Sequence, residues 1–281
     1  MSEYQYYEFL AVDRPLDEQQ QAEVRELSTR ARISATSFVN EYHWGSFRGD
    51  PLEMMERYYD AHLYLANWGT HRVMLRLPLA LLSLETAEQY CIDPDVDAQA
   101  RGEHLILDMA SEDESGDWVE GAEDSLSAIV GIRAELAAGD LRPLYLAWLA
   151  AFGTWERDED AFGYDEETEL EPPVPAGLGS LTAPQRALAD FLRLDADLLT
   201  IAAHGSPPLA RADDDPRKLA RWIKDLSASE KDELLHRVAE GHGARVQMEL
   251  QHRFRGETDT SGNRPRRSVA DLLDAAAGIR H

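Results

Sequence analysis

Two runs of alternating residues around one glycine limit this chain more than any other feature. His62 to Trp68 and His71 to Leu77 flank Gly69-Thr70. In the second run Val73, Leu75 and Leu77 alternate with Arg72, Met74 and Arg76, the period of a strand with one apolar side and one wet side. Glycine at the first of two turn positions suits a type II′ turn, so the pattern predicts a β-hairpin. Three more stretches read as strands. Tyr4 to Val12 and Phe38 to Trp44 are rich in aromatic and β-branched residues, and His104 to Met109 carries Leu105, Ile106 and Leu107. In the second of these, Phe38, Asn40, Tyr42 and Trp44 fall on one face, and Val39, Glu41 and His43 on the other.

Helix starts are spelled out between these strands. Asp17 with Gln20 forms a capping pair for a helix to about Leu27. Asp50 followed by Pro51 opens another, with Glu53 placed to close a capping box and Leu52, Met55 and Tyr59 along one side. Leu79 to Tyr90 is leucine-rich and reads as helix. The first 110 residues therefore predict an α+β fold: a mixed sheet of roughly five strands with helices covering one face. Ser125 to Ala138 carries a helical period through Leu126, Ile129, Ile132 and Leu136. A helix after Asp140 places Leu141, Leu144, Trp148 and Phe152 in one stripe.

From Glu156 to Pro175 acidic residues crowd together ahead of Pro172, Pro173 and Pro175, a composition that resists packing. The expected division is an α+β domain over 1–155, an acidic, proline-rich linker over 156–181 and an all-helical region over 182–281. Capping pairs Thr182/Gln185, Ser227/Glu230 and Ser268/Asp271 start helices in that last part.

The net charge is −25, from 53 Asp and Glu against 28 Lys and Arg. Such a field repels nucleic acid backbones and anionic membrane surfaces and favours a basic protein partner; its plainest reading is solvation alone. Cys91 is the only cysteine, so neither an internal disulfide nor a cysteine-rich zinc site can form. The opening MSEYQYYEF carries Glu3 and Glu8, unlike a secretion signal, and no apolar run has the length of a bilayer span. The expectation is a cytoplasmic protein without a membrane partner. No nucleotide-binding or zinc-protease fingerprint occurs, so no cofactor is implied.

Two constellations could carry chemistry. Glu41, His43, Trp44, Arg48 and Asp50, with Arg72, could line a pocket: histidine moves protons near neutrality, arginine clamps carboxylate or phosphate, and the aromatics form a wall. The competing reading is structural: a solvated strand face, core aromatics and a helix cap. The second constellation is two Glu-x-x-His motifs, Glu233 with His236 and Glu249 with His252, the spacing of di-metal helical bundles. Both motifs fall on polar stripes beside apolar ones, the arrangement of a solvated face. His71 sits beside the predicted turn, where an exposed polar residue is expected.

The segments SEYQYYEF, DRPL, SFVNEYHWG and YLANWGT with RVMLRLP resemble a family of uncharacterised bacterial cytoplasmic proteins over the first 110 residues or so. The resemblance implies a bacterial, cytoplasmic protein and brings no catalytic residues. With no convergent catalytic set, the sequence favours a non-enzymatic interaction or accessory protein that works through an acidic surface and the helical region. A pocket at Glu41–Asp50 and the helical metal site are the alternatives.

Overall fold

In a computed structural model of the chain, residues 3–113, 121–153, 169–209, 216–239 and 266–279 are described, with 246, 250 and 254 besides. β1 (Gln5–Leu10), β2 (Arg32–Ile33), β3 (Ser37–Tyr42), β4 (Ala61–Ala66), β5 (Thr70–Pro78), β6 (Val96–Arg101) and β7 (His104–Glu112) form one seven-stranded sheet in the order β2-β3-β1-β4-β5-β7-β6. Every pairing is antiparallel, so the sheet is not mixed as expected, although the α+β class holds. The two strands added to the expected five are β2, only two residues long, and β6, whose VDAQAR has little strand propensity.

α1 (Glu18–Leu27) and α2 (Pro51–Arg57) lie between strands in the sequence and cover one face. Tyr7, Phe9, Phe38, Met74 and Ile106 meet Val24, Met54 and Met55 there. The side of β5 expected to be wet is thus partly roofed: Met74 is buried, and Arg72 and Arg76 end in ion pairs with Asp108 and Asp60. α1 has its capping box. Asp50 caps α2 through the Leu52 N–H (2.8 Å), but Glu53 pairs with Arg57 one turn on instead of closing a box.

The hairpin turn is longer by one residue than the glycine suggested. Leu65 pairs with His71, and Asn67-Trp68-Gly69 make the turn, with the Gly69 N–H donating to the Ala66 carbonyl (3.0 Å). Gly69 has φ +105°, and a Cβ there would stand 1.7 Å from the Asp113 carbonyl oxygen. Only glycine fits both demands.

The opposite face is larger and mainly aliphatic. Leu63, Leu65, Val73, Leu75, Leu105 and Leu107 project into it from the sheet. α3 (Leu84–Glu88) packs beside β6, and α4 (Ser125–Ile129), α5 (Ile132–Ala137), α6 (Arg142–Gly153), α7 (Ala183–Phe191), α8 (Ala196–Gly205) and α11 (Val269–Ala277) complete the layer. Helices therefore cover both faces, not one. α6 runs through the middle with Leu144 to Ala150 all buried, so it is apolar all round and not along a single stripe. α9 (Pro216–Asp225) and α10 (Ala228–Arg237) follow α8 in the chain.

Residues 156–168 of the expected linker lie outside the described residues, but 169–181 are packed in part. Glu171 is buried and takes two hydrogen bonds from Arg267, at 2.8 and 2.6 Å, and one from the Tyr145 hydroxyl. Leu178 is buried in the large core. The crowding of acids predicted a solvated strand of chain, yet one carboxylate has found a cation 96 residues away. Of the helices that follow, α7, α8 and α11 share a continuous apolar core with the sheet.

Candidate functional site

β3 and the loop to α2 carry most of the residues of the predicted pocket, and Glu41, His43, Trp44 and Asp50 each engage a different partner. Glu41 on β3 reaches sideways to Arg32 (3.3 Å), a solvent-exposed pair worth little. His43 is exposed with its ring centroid 5.3 Å from that of Tyr4. Trp44 is 67% exposed, and the Arg30 guanidinium lies over its ring at 5.5 Å. Arg48 is exposed, and Asp50 is the cap of α2.

Arg72 comes from the aromatic face of β5, where Asp108 engages both its Nε (2.7 Å) and Nη2. The hydrogen bonds that Arg72 donates to Asp108 raise the Arg72 pKa further, against the opposing effect of burial. Charged groups tied up in this way hold a shape; they do not present a clamp to a ligand.

Phe47, from the same loop, turns inward against Tyr7, Phe9 and Phe38. Beneath it Tyr7 and Tyr64 both donate to Gln5 Oε1, at 2.9 and 3.2 Å, and Asn40 bonds the Ser28 and Tyr42 hydroxyls. Burial pushes the tyrosine hydroxyls Tyr7 and Tyr64 up, so they remain protonated donors.

Both hairpin histidines are core residues, which corrects the exposed position expected for His71. His62 stacks on Phe9 with centroids 3.9 Å apart, and its Nδ1–H donates to the Glu8 carbonyl (2.8 Å). His71 stacks on Phe191, and its Nδ1–H donates to the Phe191 carbonyl (2.7 Å). Burial depresses both, His62 to about 3 and His71 to about 4. Each is neutral at physiological pH and closed to solvent, so neither can exchange protons with a substrate. Burial also raises the Cys91 thiol to about 11, leaving almost no thiolate.

A groove of about 220 Å³ opens beside Asp50, between α1 and α2. Glu23, Glu26, Asp50 and Glu53 line it with Arg57 and Tyr58; Glu41, His43, Trp44, Arg48 and Arg72 do not. The short hydrogen bond from Tyr58 to Glu23, 2.6 Å, holds the carboxyl of Glu23 below its usual range.

Glu233 and His236 are exposed on α10, and Glu249 and His252 lie outside the described residues. Among the described residues no group of three or more His, Cys, Asp or Glu side chains is placed to hold a metal ion, and no helix is long and apolar enough to cross a membrane. Comparison of the chain with family models, with curated proteins and with solved structures gives no match.

Sequence reasoning missed the charged partners of Glu41 and Arg72. Arg32 and Asp108 come from strands whose register the sequence alone does not reveal. Trp68 was also missed: as the middle residue of a three-residue turn it is 47% exposed.

Proposed function

We propose that the chain is a non-enzymatic interaction or accessory protein, acting in the cytoplasm through its acidic surface and its helical C-terminal part. One observation carries this reading. The ionisable side chains best placed for chemistry are already committed: Arg72 to Asp108, Glu41 to Arg32, Asp50 to a helix end, and both buried histidines to backbone carbonyls. A net charge of −25 is left for the surface, a field that speeds encounters with cationic partners. Leu235 and Val238, 65% and 45% exposed at the end of α10, add apolar surface on the helical part.

The test is capture of partners by the immobilised full chain at low and high ionic strength, followed by rebinding of the purified candidate. A stoichiometric partner held at low salt and shed at high salt is the expected result. Recovery of no salt-sensitive partner, or turnover of a small-molecule library by the pure protein, refutes the reading.

A further inference from the structure

The two edges of the sheet are unlike. β2 is two residues long and offers little for another strand to pair with. β6 runs along β7 for six residues in one register, without a bulge. Proline, lysine and bulges commonly protect an edge strand. Val96–Arg101 has none of them, and its two charges are of opposite sign.

The hydrogen bonds of β6 show which backbone groups face outward. The Ala110 N–H donates to the Asp95 carbonyl (2.7 Å) in the register that continues through the strand. Asp97, Gln99 and Arg101, at alternate positions from Asp95, therefore turn their N–H and carbonyl groups toward β7, and Val96, Ala98 and Ala100 turn theirs away. Ile92 takes both groups of Val96, at 2.9 and 2.7 Å. At the other end the chain turns at Gly102, φ +58°. Between these limits the outward groups of Ala98 and Ala100 have no partner among the described residues.

The side chains add a charge pattern to this open ladder. Asp97, Gln99 and Arg101 share one face of β6, where Gln99 donates to Asp97 (2.7 Å) and accepts from Arg101 (2.8 Å). Asp97 and Arg101 are both exposed. A second β6 laid antiparallel about a two-fold axis at Gln99 sets Ala98 opposite Ala100 and Ala100 opposite Ala98, so the free groups of both copies bond one another. The same register sets Asp97 opposite Arg101 of the second copy, and Arg101 opposite its Asp97, in the non-hydrogen-bonded positions where side chains come closest. A shift of two residues either way sets Asp97 or Arg101 against Gln99, and one alanine against Val96 or Gly102. Hydrogen bonding and charge thus select one register.

We infer that two copies of the chain pair edge to edge through β6, about a two-fold axis at Gln99, and that one sheet runs continuously across the dimer. This pairing goes beyond the interaction-protein reading and does not depend on it.

Each copy carries a net charge of −25, so the pairing is measured at about 0.15 M salt, where repulsion beyond about 8 Å is screened. Sedimentation equilibrium of the full chain over a concentration series is expected to show monomer and dimer in exchange. A100P removes an outward N–H and no bond to β7, and is expected to be monomeric. D97R and R101D each set like charges opposite one another, and each is expected to weaken the dimer about tenfold. D97R/R101D exchanges the two charges and is expected to restore it. A mixture of D97R with R101D is expected to form a mixed dimer tighter than either variant forms alone, a gain that a role within one chain does not produce. Circular dichroism of each variant checks that the fold is intact. A wild-type chain that stays monomeric throughout the series overturns the inference. So does a dimer that A100P leaves intact, or a pair of single variants that gains nothing on mixing.

Discussion

The two faces of the sheet each bury one histidine, and those two residues expose the difference between them. His62, on the aromatic face, bonds the Glu8 carbonyl of the neighbouring strand and stacks on Phe9 of that same strand. His71, on the aliphatic face, bonds and stacks on Phe191, 120 residues further along the chain. The aromatic face is closed by α1 and α2, each inserted between consecutive strands. The aliphatic face is closed by segments up to Ala276, far away in sequence. Closure at long range has to be specified by pairs that recognise one another, and that side carries them. Glu171 meets Arg267; Gln185 donates to both Glu135 and Asp140. At the edge between the layers, Arg133 of α5 binds Asp13 through two nitrogens. The clamps on the other side span shorter stretches of chain: Tyr58 to Glu23 and Arg72 to Asp108 are 35 and 36 residues apart.

The largest effect that separates the faces is expected from removing a long-range clamp. E171A leaves Arg267 and the Tyr145 hydroxyl without their acceptor in a mostly buried setting, at a cost of about 3 kcal/mol in urea unfolding. Amide exchange should quicken first in α8 and α11, which pack on each other, while α1 and α2 keep their protection. Equal loss in all four helices would mean that the two faces open as one unit and that the contrast drawn above has no energetic content.

G69A should come next, at about 2 kcal/mol, within the range for a residue forced into left-handed backbone. Its carbonyl accepts from Asp113 and from Arg193, so the hairpin tip is also where the chain after α7 is anchored. Wild-type stability in G69A would show that the turn can relax without disturbing α7.

A smaller and pH-dependent effect belongs to His71. Its folded pKa of about 4 lies below the unfolded value of 6.5. Between those values the unfolded chain binds a proton that the folded chain refuses, so this group's contribution is complete above pH 6.5 and is lost as pH falls towards 4. Asp95, pushed up to about 6 by burial, acts with the opposite sign in part of that window. The measurement is therefore the difference in melting temperature between wild type and H71L against pH. That difference should shrink on acidification; a constant difference excludes His71 as the group responsible.

Local grammar made much of the fold legible. Asp17, Thr182, Ser227 and Ser268 all cap the helices their spacing predicted, because a capping box involves only four consecutive residues. Alternation in Phe38–Tyr42 and Val73–Leu77 assigned the faces, and the aliphatic face lies where Val73, Leu75 and Leu77 point. What failed depended on residues remote in sequence. VDAQAR pairs as a strand because β7 offers it an edge, and Met74 is buried because α2 crosses above it. Glu171 is inside because Arg267 is there to meet it. The candidate site divides the same way. Asp50 was legible as a cap, whereas Trp44, read as the last residue of a strand, lies beyond the end of β3, and the fate of Glu41 and Arg72 depended on cross-strand cations and anions that only the register brings together.

The smallest effect, and the sharpest for the aromatic face, is expected at His62. Its Nδ1–H has a partner, but Nε2 is buried with no hydrogen-bond partner among the described residues, as is the nearby Tyr59 hydroxyl. A neutral imidazole stacked between Phe9 and the more distant Tyr7 is used chiefly as a flat ring. H62F keeps the ring, gives up one hydrogen bond to the Glu8 carbonyl and removes one stranded lone pair. Two terms of about 1 kcal/mol then oppose each other, and the net change should stay within about 1 kcal/mol. The variant should also resist acid better, since wild-type His62 stays unprotonated down to about pH 3 in the folded state while its unfolded form charges near 6.5. A loss well beyond that range at neutral pH would mean that Nε2 has an acceptor's task in the folded protein, and the aromatic face would then depend on a specific polar contact as the aliphatic face does.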